Sequence, residues 1–371
     1  MIRIPLIAMV GLQLLAALLI NQPVTGAESL TAAGPVARAE APFKPTAVYA
    51  DLMLVEDTVW RGEVLVEGVL TVAPQATLSI EPGTVVRFRR QGSQAPLLVV
   101  QGRLVATGTK EAPVIFTSNF ADPAAADWQG IMLLGSEKKN LLENCRIEGA
   151  QTGLEAIFSS VTLKNVSSER AATGMRFQDT LVVMEAGGVS QCDIGLIFAG
   201  SEATLRNLSV VGNRVGLLAK ESSVYLFEAN FSGNQSAFSG DACKVKIQGG
   251  ALVGNGSGIT FSGCQGAVTG AQLANNKEFG LSLTASRIRV SANQISGNDT
   301  GLIVFDGAAV AWDNAIYDNA GYDLFNAGIE EFRAPANWWG TTAAKIYDNR
   351  GRGKVLYAPS LTARPLAPLP Q

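Results

Sequence analysis

A glycine followed by an aliphatic residue recurs through the middle of the chain at Gly153-Leu154, Gly174-Met175, Gly195-Leu196, Gly216-Leu217, Gly258-Ile259, Gly280-Leu281 and Gly301-Leu302. The step is 21 residues, stretched once to 22. Ala237-Phe238 fills the one gap, between Gly216 and Gly258, without disturbing the count. A period that survives the loss of its marker residue belongs to the architecture. It predicts a solenoid, in which each unit stacks on the next and touches only its neighbours.

No helical period fits inside the unit. After each glycine comes an alternating apolar pair, Val161/Leu163, Val182/Met184, Ala203/Leu205, Val224/Leu226, Val245/Ile247 and Ile288/Val290. Such alternation turns one face of a strand inward. A further inward column follows in Val189, Val210, Phe231, Leu252, Leu273, Ile295 and Ile316. Together with the residue after each glycine, this predicts three short strands per turn, each paired with its equivalent about 4.8 Å away in the next turn. The expected fold is all-β: a parallel β-helix, with roughly 10–12 turns in a chain of this length, rather than the leucine-rich arrangement that shares the period.

The bends carry their own ladders. Asn213, Asn234, Asn255, Asn276, Asn298 and Asn319 stand at one corner in unbroken succession, and Gly212, Gly233, Gly254 and Gly297 precede four of them. Asparagine tolerates left-handed geometry and can bond to the copy above and below, so the ladder is read as structural, not as a binding site. A second corner holds the small residues Ser159, Thr180, Ser201, Ser222, Cys243, Cys264, Ser286 and Gly307. Cys243 and Cys264 fall one above the other, inside the roughly 4.4–6.8 Å Cα window of a disulfide. A bridge and two free thiols filling the corner are both open at this point. Cys145 and Cys192 read as small buried hydrophobes, and no C-x-x-C spacing suggests a zinc site.

At the N-terminus, Arg3 precedes an apolar run from Ile4 to Ile20 and a small-residue site at Thr25-Gly26-Ala27. Residues 1–27 are expected to be a secretory signal peptide, retention as a membrane anchor being the alternative. No later segment reaches spanning length. Residues 28–50 read as an Ala/Pro-rich linker, 51–130 as an N-terminal cap with irregular first turns, 131–342 as regular repeats ending in a cap around Asn337-Trp338-Trp339-Gly340, and 343–371 as a poorly ordered Pro-rich tail.

Asn213-Arg-Val-Gly-Leu, Asn255-Gly-Ser-Gly-Ile and Asn298-Asp-Thr-Gly-Leu, with Leu78-Ser-Ile-Glu-Pro-Gly-Thr-Val-Val, Trp128-Gln-Gly-Ile and Asn337-Trp-Trp-Gly-Thr, carry a resemblance. The chain resembles the right-handed parallel β-helix repeat proteins of the broad pectin-lyase-like superfold, over most of its mature length. The resemblance implies a right-handed coil. It leaves activity open, because the group includes polysaccharide lyases, hydrolases, epimerases, glycan-binding surface proteins and a periplasmic copper-loading protein.

The chain has no histidine, which removes the commonest general base near neutral pH and the commonest transition-metal ligand. Its 29 basic and 32 acidic residues leave a net charge of −3, with no basic excess for nucleic acid. No cofactor motif is present, so no cofactor is expected. On the outer face of the first sheet, Glu155 with Arg176 and Lys220 with Asp241 are neighbours across turns and read as surface pairs. Glu330, Glu331, Asp306, Asp313, Asp318 and Asp323 read as turn residues. The second sheet brings Tyr225 and Phe227, then Lys244 and Lys246, then Arg287 and Arg289 to its outward columns, with Arg206 one turn before the aromatic pair and Trp312 farther along. Aromatic faces beside cations suit an acidic polysaccharide laid along the stack.

These observations describe a secreted or periplasmic, non-catalytic protein that presents a rigid surface to carbohydrate or another cell-surface component. The alternatives are a polysaccharide lyase or hydrolase using Glu81, Arg87, Arg89 and Arg90 on the irregular first turns, and a structural spacer or surface-layer component.

Overall fold

The computed structural model describes residues 38–92 and 94–365. The expected signal peptide, the linker up to residue 37 and the last six residues of the tail lie outside the described residues. Within them the chain coils through about 15 turns of about 21 residues, more than the repeat count predicts. The extra turns come from both flanks, where strand pairing persists although the glycine period does not. The coil begins at the strand Ala47–Leu54, inside the segment expected to be linker, and this strand pairs in parallel with Glu63–Val72. At the other end Ile346–Tyr347 and Val355–Leu356 pair with the turn before them, so the expected tail adds a last turn.

Three parallel sheets run the length of the coil. The first is represented by Ile194–Ala199 and Val215–Lys220, the second by Glu202–Arg206 and Ser223–Phe227, and the third by Ser209–Val211 and Asn230–Ser232. Every pairing between these strands joins a residue to its equivalent one turn on. The inward columns form one continuous core, in which Phe177 stacks on Phe198 and Phe238 meets Phe261 edge to face, both pairs at 5.1 Å between ring centroids. Glycine stands second in most first-sheet strands, where the next turn comes close to the backbone. A Cβ at Gly216 would lie 2.5 Å from the Ala237 carbonyl oxygen.

The asparagine ladder is present and buried throughout. Asn234 donates its backbone N–H and its side-chain amide to Asn255 Oδ1, both at 3.0 Å, while its amide also reaches the Val210 carbonyl at 2.9 Å. Asn255 repeats the pattern onto Asn276, and Asn276 onto Asn298. One detail differs from expectation. The left-handed residue at this corner is the one before the asparagine, Gly212, Gly233, Gly254, Asn275, Gly297 and Asp318, which frees the asparagine side chain to turn inward. Cys192 heads the ladder by donating its N–H to Asn213 Oδ1, and Asp323 closes it by accepting from the Asn319 amide at 3.0 Å.

A second, shorter asparagine ladder was not apparent from the repeat. Asn293 bonds to Asn314 and Asn314 to Asn337, each through backbone N–H and side-chain amide at 2.9 Å. The Asn337-Trp-Trp-Gly segment therefore supplies a rung of the coil itself.

At the small-residue corner, hydroxyls do the same work. Ser201 N–H donates to Ser222 Oγ, and Ser222 Oγ donates back to the Lys220 carbonyl. Cys243 and Cys264 occupy serine positions in this ladder. Cys243 N–H donates to Cys264 Sγ at 3.4 Å, and each thiol turns to a carbonyl of its own corner, Asp241 for Cys243 and Ser262 for Cys264. The disulfide considered between them is not formed; all four cysteines are free thiols.

Replacing one middle rung should show what the ladder contributes. Asn255→Ala strands the Asn234 donors and the Phe231 carbonyl. Buried groups left without partners cost about 1–3 kcal/mol each, so a loss of about 3 kcal/mol in urea unfolding is expected. Lys244→Ala, one corner away on the surface, should change stability by about 0.5 kcal/mol or less.

Candidate functional site

With the inward and corner positions committed to folding, chemistry is confined to outward side chains. On the second sheet the register aligns Glu202, Ser223, Lys244, Gln265 and Arg287 in one row. Beside it run Thr204, Tyr225, Lys246, Ala267 and Arg289. The structure thus brings the six sequence-selected residues onto one face, with Lys244, Lys246, Arg287 and Arg289 exposed and Tyr225 and Phe227 half-buried. None of the four cations forms an ion pair among the described residues.

Phe227 is already occupied. The Arg206 guanidinium lies 4.2 Å from its ring centroid and the Lys246 ammonium 5.3 Å from it, so the ring holds cations in place. What the face offers outward is chiefly positive charge, with Tyr225 between the Thr204 and Lys246 strands. Trp312 ends the outermost row, half-buried.

On the first sheet, Glu155 and Arg176 form the cross-turn pair, at 3.8 Å. Lys220 stands opposite Asp241 in the register, yet its ammonium goes to Glu221 on its own turn. The C-terminal acids are scattered as turn chemistry predicts. Asp306 accepts the N–H groups of Ile329 and Glu330, and Asp313 and Asp318 sit at left-handed corners. No group of three or more His, Cys, Asp or Glu converges as a metal site among the described residues.

The four charged candidates of the first turns do not form one cluster. Glu81 lies exposed at a bend, Arg89 pairs with Glu67, and Arg90 donates to the Ala126 carbonyl. Arg87 alone lines a groove of about 350 Å³ on the third sheet, together with Thr117, Arg146, Glu148, Asp122 and Arg170. Val85, Ile115 and Arg146 follow one another across turns, and Arg87 stands opposite Thr117. One wall is the extended segment at Ala39–Ala41, which bonds to Asn119 and Ala121, and the other is the 120–123 loop. Sequence periodicity could not assemble these residues, since their turns are of unequal length and the wall comes from outside the repeat.

The thiols are poor nucleophiles. Burial pushes Cys145 up to about 12 and Cys192 up to about 11. In the stacked pair the neighbouring sulfur eases ionisation of Cys243 and resists that of Cys264, where burial acts in the same direction, but both sulfurs are enclosed by the corner. At pH 8 the folded protein should therefore resist iodoacetamide. Denaturation without a reductant should expose four alkylatable thiols by intact mass; two would show a bridge.

Two family models match the sequence, a pectate-lyase like beta helix domain over residues 52–179 and a right handed beta helix region over residues 194–350. No curated protein matches the chain. Solved structures with a similar path include a periplasmic alginate epimerase, at 11% identity and TM-score 0.39, covering 82% of this chain and 78% of that one. The A-module of a mannuronan C-5 epimerase of Azotobacter vinelandii gives 13% identity and TM-score 0.42, covering 81% and 91%. An alginate lyase of Paenibacillus gives 13% and 0.35, covering 76% and 93%.

Proposed function

This chain is a right-handed parallel β-helix repeat protein, and we propose that it acts as a non-catalytic binding protein of the cell envelope or its exterior, holding an acidic polysaccharide along the second sheet. The observation that carries this reading is the in-register stripe of Lys244, Lys246, Arg287 and Arg289, none of them ion-paired among the described residues, on a protein whose net charge is −3. Lys244 and Arg287, and likewise Lys246 and Arg289, stand two turns apart, roughly 9.6 Å at about 4.8 Å per turn, which suits a polymer whose charges also repeat along a line. The sheet holds these cations on a fixed backbone, so little ordering is required on binding. The pectate-lyase-like match supports a carbohydrate as the polymer. An envelope or extracellular location rests on the expected signal peptide, and no helix among the described residues is long and apolar enough to cross a membrane.

Two features weigh against depolymerisation. The sequence has no histidine, and Glu148, the buried carboxylate of the third-sheet groove, is held by Arg146 and Arg170, each at 3.2 Å.

Retention on polygalacturonate and on dextran, at low and high salt and with polymer length followed, tests the reading. Retention is expected on the acidic polymer alone, fading as salt screens the stripe. Lys246→Ala/Arg289→Ala should weaken it by about tenfold, the equivalent of about 1.4 kcal/mol, with polymer length unchanged. Shortening of the polymer would make the protein an enzyme, and absence of retention would favour a spacer or surface-layer role.

A further inference from the structure

The groove on the third sheet stands apart from the second-sheet stripe and does not depend on it. Seven buried side-chain polar atoms lack a hydrogen-bond partner among the described residues, and five of them lie in or beside this groove: Arg87 Nε, Thr117 Oγ1, Arg170 Nε and both amide atoms of Asn119. The ladders satisfy their buried polar groups turn after turn, so this concentration is local. Buried polar groups in folded proteins are nearly always matched, by protein, water or ligand.

The charges have a direction as well. Three guanidiniums, Arg87, Arg146 and Arg170, line the groove with two carboxylates, Glu148 and Asp122, and Glu169, just outside the lining, also reaches Arg146 at 4.0 Å. Glu148 bridges Arg146 and Arg170, and Asp122 takes Arg170 at 3.4 Å. Arg87 pairs with no carboxylate among the described residues. It lies 5.3 Å from the Phe43 ring centroid and donates one Nη1 bond, at 3.3 Å, to the Ser118 carbonyl. A planar, permanently charged fork of this kind matches a carboxylate.

We propose that the groove binds a small hydroxylated carboxylate, one carboxylate with neighbouring hydroxyl groups, of about the size of a single sugar-acid residue. Arg87 takes the carboxylate, and Thr117 Oγ1 bonds a hydroxyl. Glu148 and Asp122 fix the other two guanidiniums at the rim. The volume, about 350 Å³, lies at the small end of the roughly 300–1,000 Å³ typical of ligand sites.

Isothermal titration of the full mature chain with D-glucuronate, D-gluconate, D-glucose and inorganic phosphate tests this. Saturable binding of glucuronate or gluconate is expected, and whichever binds tighter separates a ring sugar acid from an open-chain hydroxy acid. Glucose and phosphate should bind at least about tenfold more weakly, since one lacks the charge and the other the hydroxylated frame. Arg87→Lys and Thr117→Val should each weaken the acid by about tenfold or more. Thr117→Val removes a hydroxyl that has no partner among the described residues, so it should melt no lower than the parent and decides the matter if Arg87→Lys folds poorly. No saturable binding of either acid, equal binding of glucose or phosphate, or full affinity in a folded Thr117→Val would each overturn the proposal.

Discussion

Parallel pairing of every strand with its copy in the next turn is the constraint on which the rest of this molecule depends. It requires each turn to bend at the same places, and each bend points backbone donors into a space that water does not reach. The chain meets that demand with side chains that repeat the backbone's pattern: asparagine at one corner, serine, threonine or cysteine at another. Each rung both accepts from the turn before and donates to the turn after. Fully matched networks of this kind specify one register, because a slip of one residue would strand every donor at once.

That division of labour explains where function can sit. Inward positions are apolar and corner positions are ladders, so neither is free to vary with a ligand. Outward positions answer to no such rule, and a row of them one turn apart becomes a line of charge wherever the sequence places cations at the same column. The second sheet does so at every second turn, over Lys244 and Arg287 and over Lys246 and Arg289, while the third sheet builds a groove where the 39–41 segment and the 120–123 loop flank its first turns. The two sites differ in kind, an open stripe and a walled pocket, although one backbone geometry holds both.

The regular middle of the coil was legible because its signals recur at the same phase: glycine for close approach, an inward pair, and asparagine at the corner. The ladder from Asn213 to Asn319 is visible in the sequence by identity alone. Its shorter counterpart at Asn293, Asn314 and Asn337 was not, since three rungs with steps of unequal length do not stand out, and Leu208, Ala229 and Ala271 fill the same corner earlier in the coil. The disulfide question turned on side-chain direction, which spacing cannot supply; stacked thiols that donate to their own corners point along the ladder rather than at each other. The groove was the least legible part. Arg87, Thr117, Arg146 and Arg170 become neighbours only through pairing between turns of unequal length, and the short wall segment has no repeat to announce it.

Hydrogen exchange of the protein and of Asn255→Ala, resolved to single amides, tests the ladder's role most directly. The backbone amides of Asn213, Asn234, Asn255 and Asn276 should be among the slowest in the protein. Loss of the one side chain should speed exchange in the turns on either side of it, with the effect fading along the coil. Ladder amides that exchange as fast as exposed bends, or a change confined to residue 255 itself, would contradict the view that these corners bind one turn to the next.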